Sequence, residues 1–276
     1  MTDNSAAIAA HFDRLGLREW DRFGRTLDDR VSLALHSRVL EEFALPGGRA
    51  LDIGAGPGRF TEQLHRLGCR IAVGDISAEQ LRLNQETART RRFAESVDAW
   101  HQIDICDLSR FSDGMFDTVV AFGGPLSYVF ESRDRALSEC IRVLRPGGVL
   151  LLSVMPLWGT VHRHMGAVLN LPEAANRSIV ATGDLTEEND PASTHHCHMF
   201  RAAELRSFLD RSDLALEWLS ASSAITTGVD AAVLPAESSW RLVLDFEAMA
   251  CVEEGYLDAG THLIAAVRRR ESAPAA

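Results

Sequence analysis

Along most of the chain, short apolar runs alternate with segments in which apolar residues recur every three or four positions. A continuous apolar run predicts a buried strand, whereas the wider spacing predicts a helix with one buried face. Strands that are apolar throughout need cover on both faces, which predicts a parallel sheet between two layers of helices. The predicted strands are 50–53, 70–75, 99–104, 116–122, 149–154, 214–221 and 262–267, and the predicted helices are 59–67, 77–92, 137–144, 202–210 and 239–252. Ser77 and Gln80 predict a capping box at the start of the second helix.

Two segments depart from this alternation. The first 44 residues contain only helical patterns, and residues 156–200 are rich in His, Asn, Thr, Gly and Pro. A long insertion after the carboxyl end of a strand predicts a cap over a binding site. We therefore divide the chain into an N-terminal helical segment or lid (1–44), a core (45–155), a cap (156–200), the rest of the core (201–270) and a frayed tail (271–276).

Composition narrows the class of protein. The 276 residues are 46% hydrophobic and 24% charged, with a formal net charge of −11, which argues against a nucleic-acid partner because such proteins present a basic surface. Five scattered cysteines without a CxxC pair disfavour a disulfide framework or a zinc ribbon. No apolar stretch is long enough to span a membrane, and no secretory signal is evident. These features predict a cytoplasmic globular protein without a membrane partner, as a monomer or a homodimer.

A glycine-rich loop follows the first predicted strand. Gly54, Gly56 and Gly58 lie between a strand and a helix, where the backbone turns tightly and a ligand can approach. Enzymes that use NAD, FAD or S-adenosylmethionine all have such loops, so the loop alone does not decide between them. Here Arg59 occupies the position of the third glycine in the dinucleotide pattern, and Asp52 places a carboxylate just before the loop. That charge disfavours a pyrophosphate and favours a ligand with an ammonium and a sulfonium.

Two further carboxylates follow the next two strands. Asp75 lies 21 residues after Gly54, the usual separation for an acid that accepts both ribose hydroxyls. Asp104 ends the third predicted strand and can accept the adenine amine, while a backbone N–H beside it, at Ile105, can meet a ring nitrogen. Three carboxylates at successive strand ends are more specific than the glycines alone.

With these residues in place, the sequence resembles the class I S-adenosylmethionine-dependent methyltransferases. The matching segments are LDIGAGPG, VGD, IDICDL, FDTVVAFGGPLSYV and LRPGGVLLLSV, all within residues 45–155. The resemblance implies a Rossmann-like three-layer α/β sandwich whose seven-stranded, mostly parallel sheet has the order 3-2-1-4-5-7-6, with the last strand antiparallel. It also implies S-adenosyl-L-methionine as cofactor and S-adenosyl-L-homocysteine as product.

The resemblance further implies a set of cofactor contacts. Asp52 would orient the glycine loop or the ligand amine, and Trp20, in the N-terminal segment, would fold over the cofactor. The remaining implied contacts are Gly54, Gly56 and Gly58 at the methionine part, Asp75 at the ribose, Ile76, Asp104 and Ile105 at the adenine, and Phe122 and Gly123 beside the sulfonium.

The methyl acceptor is less evident from the sequence. The tetrad Gly123–Leu126 (GGPL) replaces the DPPY-like motif of enzymes that methylate nucleic-acid amino groups, which disfavours DNA or RNA as substrate. The cap contains a histidine cluster, in which an extended backbone would place His196 and His198 on one face and His195 and Cys197 on the other. The cluster can supply a general base, a metal site or structural hydrogen bonds. We select His196 as the candidate base, with Tyr128 as a second catalytic candidate, and predict no metal.

Together these observations predict methyl transfer to an oxygen, nitrogen or carbon atom of a small molecule, with specialised metabolism as one setting. Three alternatives stay open at this point. They are a nicotinamide-dependent oxidoreductase, a non-catalytic cofactor-binding protein on the same fold, and a methyltransferase that acts on a protein.

Overall fold

The structure, a computed structural model, describes residues 3–229 and 237–271. Within that part of the chain the helices are α1 (Asp3–Leu15), α2 (Arg18–Asp21), α3 (Leu27–Phe43), α4 (Arg59–Arg66), α5 (Ala78–Thr90), α6 (Arg133–Val143), α7 (Leu157–Arg163), α8 (Met165–Val168), α9 (Glu173–Thr182), α10 (Ala202–Leu209) and α11 (Glu237–Ala250). The strands are β1 (Arg49–Ile53), β2 (Arg70–Asp75), β3 (Val97–Gln102), β4 (Phe116–Ala121), β5 (Leu144–Val154), β6 (Asp184–Leu185), β7 (Cys197–His198), β8 (Leu214–Ala221) and β9 (Leu263–Arg269).

Seven of these strands form one sheet in the order β3-β2-β1-β4-β5-β9-β8. Strand β9 runs antiparallel to both of its neighbours, and the other pairs are parallel. The short strands β6 and β7 form a separate hairpin, so β8 and β9 are the sixth and seventh strands of the main sheet. The predicted topology is therefore confirmed.

Hydrophobic residues on the two faces of the sheet form two separate clusters. In β5, Leu151 belongs to the cluster beneath α3, α4 and α11, whereas Leu150 and Leu152 belong to the cluster beneath α6 and α10. Side chains alternate between the two faces because successive residues of a strand point in opposite directions. Both faces are covered, as the apolar strands predicted.

Strands β3 and β5 depart most from their predicted bounds. Strand β3 covers 97–102 and not 99–104, so Asp104 lies in the turn beyond the strand, where its carbonyl accepts a hydrogen bond from Asp107 N. Strand β5 begins at Leu144, five residues before the prediction. The Arg-Pro-Gly-Gly sequence lies in a bulge at its start, where Gly147 has φ +76° and β5 has more residues than β4 between successive pairs.

One of the two hydrogen bonds of the predicted capping box at α5 is present. Ser77 Oγ accepts a hydrogen bond from Gln80 N and caps the helix. The reciprocal bond is replaced, because Gln80 Nε2 donates instead to Phe12 O and Gly16 O at the end of α1. Gln80 therefore attaches the N-terminal helix to the core.

Residues 156–200 contain α7, α8, α9 and the β6/β7 hairpin and pack against the N-terminal helices. Arg163 on α7 forms ion pairs with Asp28 and Asp29 on α3, and its Nη2 lies 2.9 Å from Asp29 Oδ1. No helix within the described ranges is both long and apolar enough to cross a membrane. The predicted division into lid, core and cap stays a prediction, and the tail that we expected to fray lies outside the described residues except for Glu271.

Candidate active site

The glycine loop joins β1 to α4 at the carboxyl edge of the sheet. Gly54, Gly56 and Gly58 have φ values of +70°, +52° and +98°, which L side chains rarely adopt. A Cβ atom on Gly54 would lie 2.6 Å from Pro125 Cγ, and one on Gly58 would lie 3.0 Å from Asn84 Nδ2. Both the backbone conformation and the close neighbours therefore require glycine at these two positions.

A hydrogen-bond network beneath the loop begins at Asp52. Thr61 Oγ1 donates to Asp52 Oδ2 at 2.6 Å, and Asn84 Nδ2 donates to Thr61 Oγ1 and to Gly56 O, each at 3.1 Å. Trp100 Nε1 donates to Asn84 Oδ1 at 2.9 Å. Burial raises the pKa of Asp52 to about 7, and its side chain does not line the pocket above the loop. Of the two roles implied for Asp52, this geometry matches support of the loop and not contact with a ligand amine.

Asp75 ends β2 and holds the turn that faces the glycine loop. Its Oδ2 accepts a hydrogen bond from Gly56 N and its Oδ1 accepts one from Ser77 N, both at 2.9 Å. Burial raises the pKa of Asp75 to about 6, and the nearby carboxylates of Glu19 and Asp13 add to the shift. The carboxylate thus couples the loop after β1 to the start of α5 while facing the pocket.

Asp104 contributes from the turn after β3. Its Oδ1 accepts a hydrogen bond from Cys106 N at 2.9 Å, and its Oδ2 accepts one from Ser5 Oγ at 2.7 Å. Ser5 belongs to α1, so the N-terminal helix reaches across the sheet edge to the residue predicted to bind adenine. Nothing in the sequence pattern pointed to this contact.

These strand ends enclose a single pocket, which we call the donor pocket. Nine of the eleven predicted cofactor contacts line it, and only Asp52 and Gly58 do not. The lining contacts are Trp20, Gly54, Gly56, Asp75, Ile76, Asp104, Ile105, Phe122 and Gly123. Its volume is about 100 Å³, and Ser5, Ile8 and Phe12 of α1 are among its lining residues. Ligand pockets usually measure about 300–1,000 Å³, so this pocket is small for a nucleoside-sized ligand.

Sequence reasoning missed Gln80 as a pocket residue. Its Oε1 is buried, lines the donor pocket and has no hydrogen-bond partner among the residues that the structure describes. A buried polar atom without a partner is costly, so this oxygen is suited to accept a hydrogen bond from a ligand. The capping pattern around Ser77 drew attention to Gln80, but for a different role.

A contact with Arg59 holds Trp20 above the glycine loop. The Arg59 guanidinium carbon lies 4.1 Å from the Trp20 ring centre, and Arg59 Nη2 donates to Trp20 O at 2.6 Å. Such a cation–π contact contributes about 0.5–2 kcal/mol depending on exposure. Arg59, which distinguished this loop from a dinucleotide motif, therefore holds the N-terminal segment over the pocket.

A second, larger cavity adjoins the donor pocket, and we call it the acceptor cavity. It measures about 480 Å³ and lies between α3 and the cap, with Phe23 in the walls of both spaces. Most of its lining is apolar, including Met155, Ile179 and Met199. Its polar lining residues are Asp29, Ser32, Thr160, Arg163, His164, Asn176, Asp190, Ser193, His195, Thr261 and His262.

The cap histidines do not take the positions that the alternating pattern predicted. Strand β7 contains only Cys197 and His198, so alternation does not extend to the residues before it. His198 is buried, with Nδ1 at 2.7 Å from Asp184 Oδ1 and Nε2 at 2.8 Å from Glu204 Oε1, which is a structural arrangement.

The structure brings His195 to the acceptor cavity, whereas the sequence pattern favoured His196. His196 lines neither the donor pocket nor the acceptor cavity, and its buried Nε2 has no hydrogen-bond partner among the described residues. His195 instead lines the acceptor cavity, and its Nε2 lies 2.7 Å from Tyr128 Oη. The structure therefore places His195, and not His196, in the wall of the acceptor cavity, and the role of His196 as the base stays a prediction.

The described residues contain no group of three or more His, Cys, Asp or Glu side chains arranged to hold a metal ion. The cluster formed by His195, His196 and Cys197 is thus not gathered around one point.

A methyltransferase-domain family matches residues 51–152, the same segment that supplies the donor pocket from β1 to β5. Residues 51–152 therefore form a methyltransferase domain, and the protein is an S-adenosylmethionine-dependent methyltransferase. This assignment separates it from the nicotinamide-dependent oxidoreductases, which also use a glycine-rich loop after the first strand.

Known relatives of this methyltransferase agree with the assignment. A ubiquinone biosynthesis O-methyltransferase from Xanthomonas campestris pv. campestris (strain B100) is 29% identical over 184 residues, covering 66% of this chain and 69% of that protein. An S-adenosylmethionine-dependent methyltransferase from Mesorhizobium loti has a TM-score of 0.57 at 18% identity, covering 84% of this chain and 96% of that one.

A third similar protein was solved with small molecules bound. The 1,6-didemethyltoxoflavin-N1-methyltransferase from Burkholderia thailandensis, bound to 1,6-didemethyltoxoflavin and S-adenosylhomocysteine, has a TM-score of 0.58 at 15% identity. The match covers 97% of this chain and 89% of that one. At this level of identity the two solved structures show that the methyltransferase shares their fold.

Proposed function

We propose that this methyltransferase acts on a small molecule that binds in the acceptor cavity between the cap and the N-terminal helices. The observation that carries the proposal is the cavity itself, which measures about 480 Å³ and adjoins the donor pocket. Cavities of about 300–1,000 Å³ hold drug-sized ligands. A folded protein substrate would instead need an open surface beside the donor pocket, where residues of α1, α3 and the cap line the two spaces.

The residues of the donor pocket fit S-adenosylmethionine. In this proposal Asp75 accepts the ribose hydroxyls, Asp104 and Ile105 meet the adenine, and the glycine loop receives the methionine part. The carboxylates of Glu19, Asp75 and Asp104 favour a ligand with cationic groups, and Gln80 Oε1 offers a further buried acceptor for a ligand donor. When bound, this cofactor supplies a methyl group on a cationic sulfur.

The protein's contribution to the reaction is then mainly to position the reactants and to exclude water. Methyl transfer is an in-line displacement, and holding two reactants in line can supply a large part of the rate enhancement. Phe122 and Gly123, at the end of β4, line the side of the donor pocket that would face the methyl acceptor, and Tyr128 follows them in the chain. Trp20 and the α1 residues Ser5, Ile8 and Phe12 also line this pocket.

An oxygen atom is the methylation site that we favour. The relative from Xanthomonas campestris is named an O-methyltransferase, and the predominantly apolar lining of the acceptor cavity suits a neutral molecule with one polar group. Specialised metabolism, the cytoplasmic location and the monomeric or dimeric state stay predictions from the sequence.

The test is a methyl-transfer screen with labelled S-adenosylmethionine. We expect label in at least one member of a panel of phenols, alcohols, amines and carboxylates, and mass spectrometry will locate the added methyl group. Mixtures of denatured proteins and of RNA fragments serve as competing acceptors. Transfer confined to protein or RNA would contradict the small-molecule assignment, and tight S-adenosylhomocysteine binding without any transfer would favour a non-catalytic protein.

A further inference from the structure

Tyr128 and His195 connect the two spaces of the active site. The ring of Tyr128 lines the donor pocket, and its hydroxyl lies 2.7 Å from His195 Nε2. His195 lines the acceptor cavity, so the hydrogen bond spans the boundary between the two spaces. The residues are 67 positions apart and come from the core and the cap.

Both side chains are held in place by their surroundings. The two rings stack with centroids 5.3 Å apart, and the edge of Phe12 packs against Tyr128, also at a centroid distance of 5.3 Å. Ser193 Oγ accepts a hydrogen bond from His195 N at 3.0 Å, which fixes the backbone before β7. Tyr128 is buried, and its hydroxyl is hydrogen-bonded to the histidine.

We propose that Tyr128 and His195 form a proton-accepting pair for a methyl acceptor that carries a hydroxyl group, a phenol or an alcohol. This inference rests on the proposed function, because it places such an acceptor in the acceptor cavity. A neutral hydroxyl gains from a general base during methylation, since its oxygen must lose a proton, whereas a carboxylate does not need one.

The proton transfer balances with the methyl transfer. A bond forms between the hydroxyl oxygen and the methyl carbon, and the bond from that carbon to sulfur breaks. The hydroxyl proton passes to Tyr128 Oη while Tyr128 passes its own proton to His195 Nε2. The positive charge that begins on sulfur ends on the imidazolium, and it leaves when His195 releases the proton to water.

The groups around His195 favour this direction of transfer. The His11 ring on α1 lies 5.3 Å from the His195 ring, and burial, followed by the charge of Arg14, lowers the pKa of His11. This lowering disfavours a proton on His11. The other titratable or charged groups near His195 or in the cavity wall are His196, His164, Cys197, Arg163, Asp29, Asp190 and His262.

The first test compares pH profiles of the full-length enzyme with its hydroxyl acceptor. His195→Gln retains a hydrogen-bond acceptor for Tyr128 but cannot take a proton, so we expect kcat to fall by about 100-fold at pH 7. The acidic limb that His195 sets in the wild-type profile should be absent. In its place, the activity of the variant should rise steadily with pH, because the acceptor must then ionise by itself. Tyr128→Phe should lower kcat similarly, and the double variant should lose little more.

His196→Ala is the discriminating variant, because the sequence pattern favours His196 and the structure favours His195. Its pH profile should keep the wild-type shape. A His195→Gln enzyme that retains the acidic limb and stays within about threefold of wild-type kcat would overturn the proposal. Loss of S-adenosylhomocysteine binding in His195→Gln would also overturn it, by showing that His195 supports the fold and does not transfer protons.

The second test needs no turnover. In nitrogen-15 NMR spectra of the protein bound to S-adenosylhomocysteine, neutral His195 should carry its proton on Nδ1, and Tyr128→Phe should shift the Nε2 resonance. A proton on Nε2 would contradict the proposal, since that nitrogen could not then accept one. If the screen finds only amines or carboxylates, the pair is not needed and this inference fails while the small-molecule function stands.

Discussion

The donor pocket and the acceptor cavity adjoin each other but are built in different ways. The donor pocket is formed by the turns that follow β1, β2, β3 and β4, which are neighbours in the sheet. Backbone groups hold its polar residues, as in the bonds from Gly56 N and Ser77 N to Asp75. The acceptor cavity is formed by α3, the cap and the residues before β9, and side chains such as Arg163 and Asp29 join them.

Because of this difference, cofactor binding and acceptor binding can vary independently. A pocket held by backbone hydrogen bonds tolerates few changes, because a turn that needs glycine accepts little else. A cavity held by side chains from distant segments can change shape and polarity by substitution without disturbing the sheet. We therefore expect changes in the donor pocket to alter cofactor affinity and changes in the cap to alter acceptor binding.

The largest effect should come from Gly54→Ala in the glycine loop. Its methyl group would lie 2.6 Å from Pro125 Cγ at a φ of +70°, so the loop must move. We expect S-adenosylhomocysteine to bind more weakly by about 100-fold or more, measured by calorimetry. Gly47→Ala is the control, because Gly47 has a similar φ of +73° but no atom within 4 Å of the added carbon. Equal losses in both variants would contradict the role of the close contact.

Asp75→Ala should have the next largest effect. It removes the acceptor for Gly56 N and Ser77 N and the charge-assisted bonds proposed for the ribose. Calorimetry should show cofactor affinity reduced by more than tenfold. Asp98→Ala, which removes the exposed ion pair between Asp98 on β3 and Arg70 on β2, is the matched control and should bind the cofactor normally. Unchanged affinity in Asp75→Ala would disprove the ribose assignment.

Arg163→Ala tests the acceptor side. It leaves the buried carboxylates of Asp28 and Asp29 without their partner and loosens α7 against α3. We expect KM for the methyl acceptor to rise about fivefold, with S-adenosylhomocysteine affinity within about twofold of wild type. Arg177→Ala removes an exposed ion pair with Glu173 on α9 and should change neither quantity. An equal loss of cofactor affinity in Arg163→Ala would contradict the expectation that changes in the cap alter acceptor binding alone.

The smallest effect that we expect is a pH-dependent change in stability in Asp52→Asn. Burial raises the pKa of Asp52 to about 7 in the folded protein, so its contribution to stability is present at low pH and is lost as pH rises through 7. Asp52→Asn resembles the protonated form and keeps an acceptor for Thr61. Scanning calorimetry should show a melting temperature about 3 °C above wild type at pH 8 and little difference near pH 4. A less stable variant at pH 8 would mean that the charged form supports the loop.

The sequence predicted most of the donor pocket. The glycine loop and the positions of Asp75 and Asp104 follow from local patterns, because each strand, turn and helix is specified by adjacent residues. The sheet order came instead from the resemblance to a known family, because strand order depends on pairing between distant segments. It also allowed two roles for Asp52, and only burial beneath the loop favoured one of them. The bounds of β3 and β5 were missed because bulges and strand ends depend on the pairing partner.

The tertiary structure alone decided how the active site is closed and which histidine faces it. The bond from Ser5 to Asp104 joins residues 99 positions apart, and no local pattern encodes such a contact. The choice of His195 over His196 depended on a hairpin whose strand is too short for alternation to apply. Sequence periodicity determines which face of an element is apolar, whereas the contacts across the acceptor cavity depend on how the cap, the lid and the core pack together.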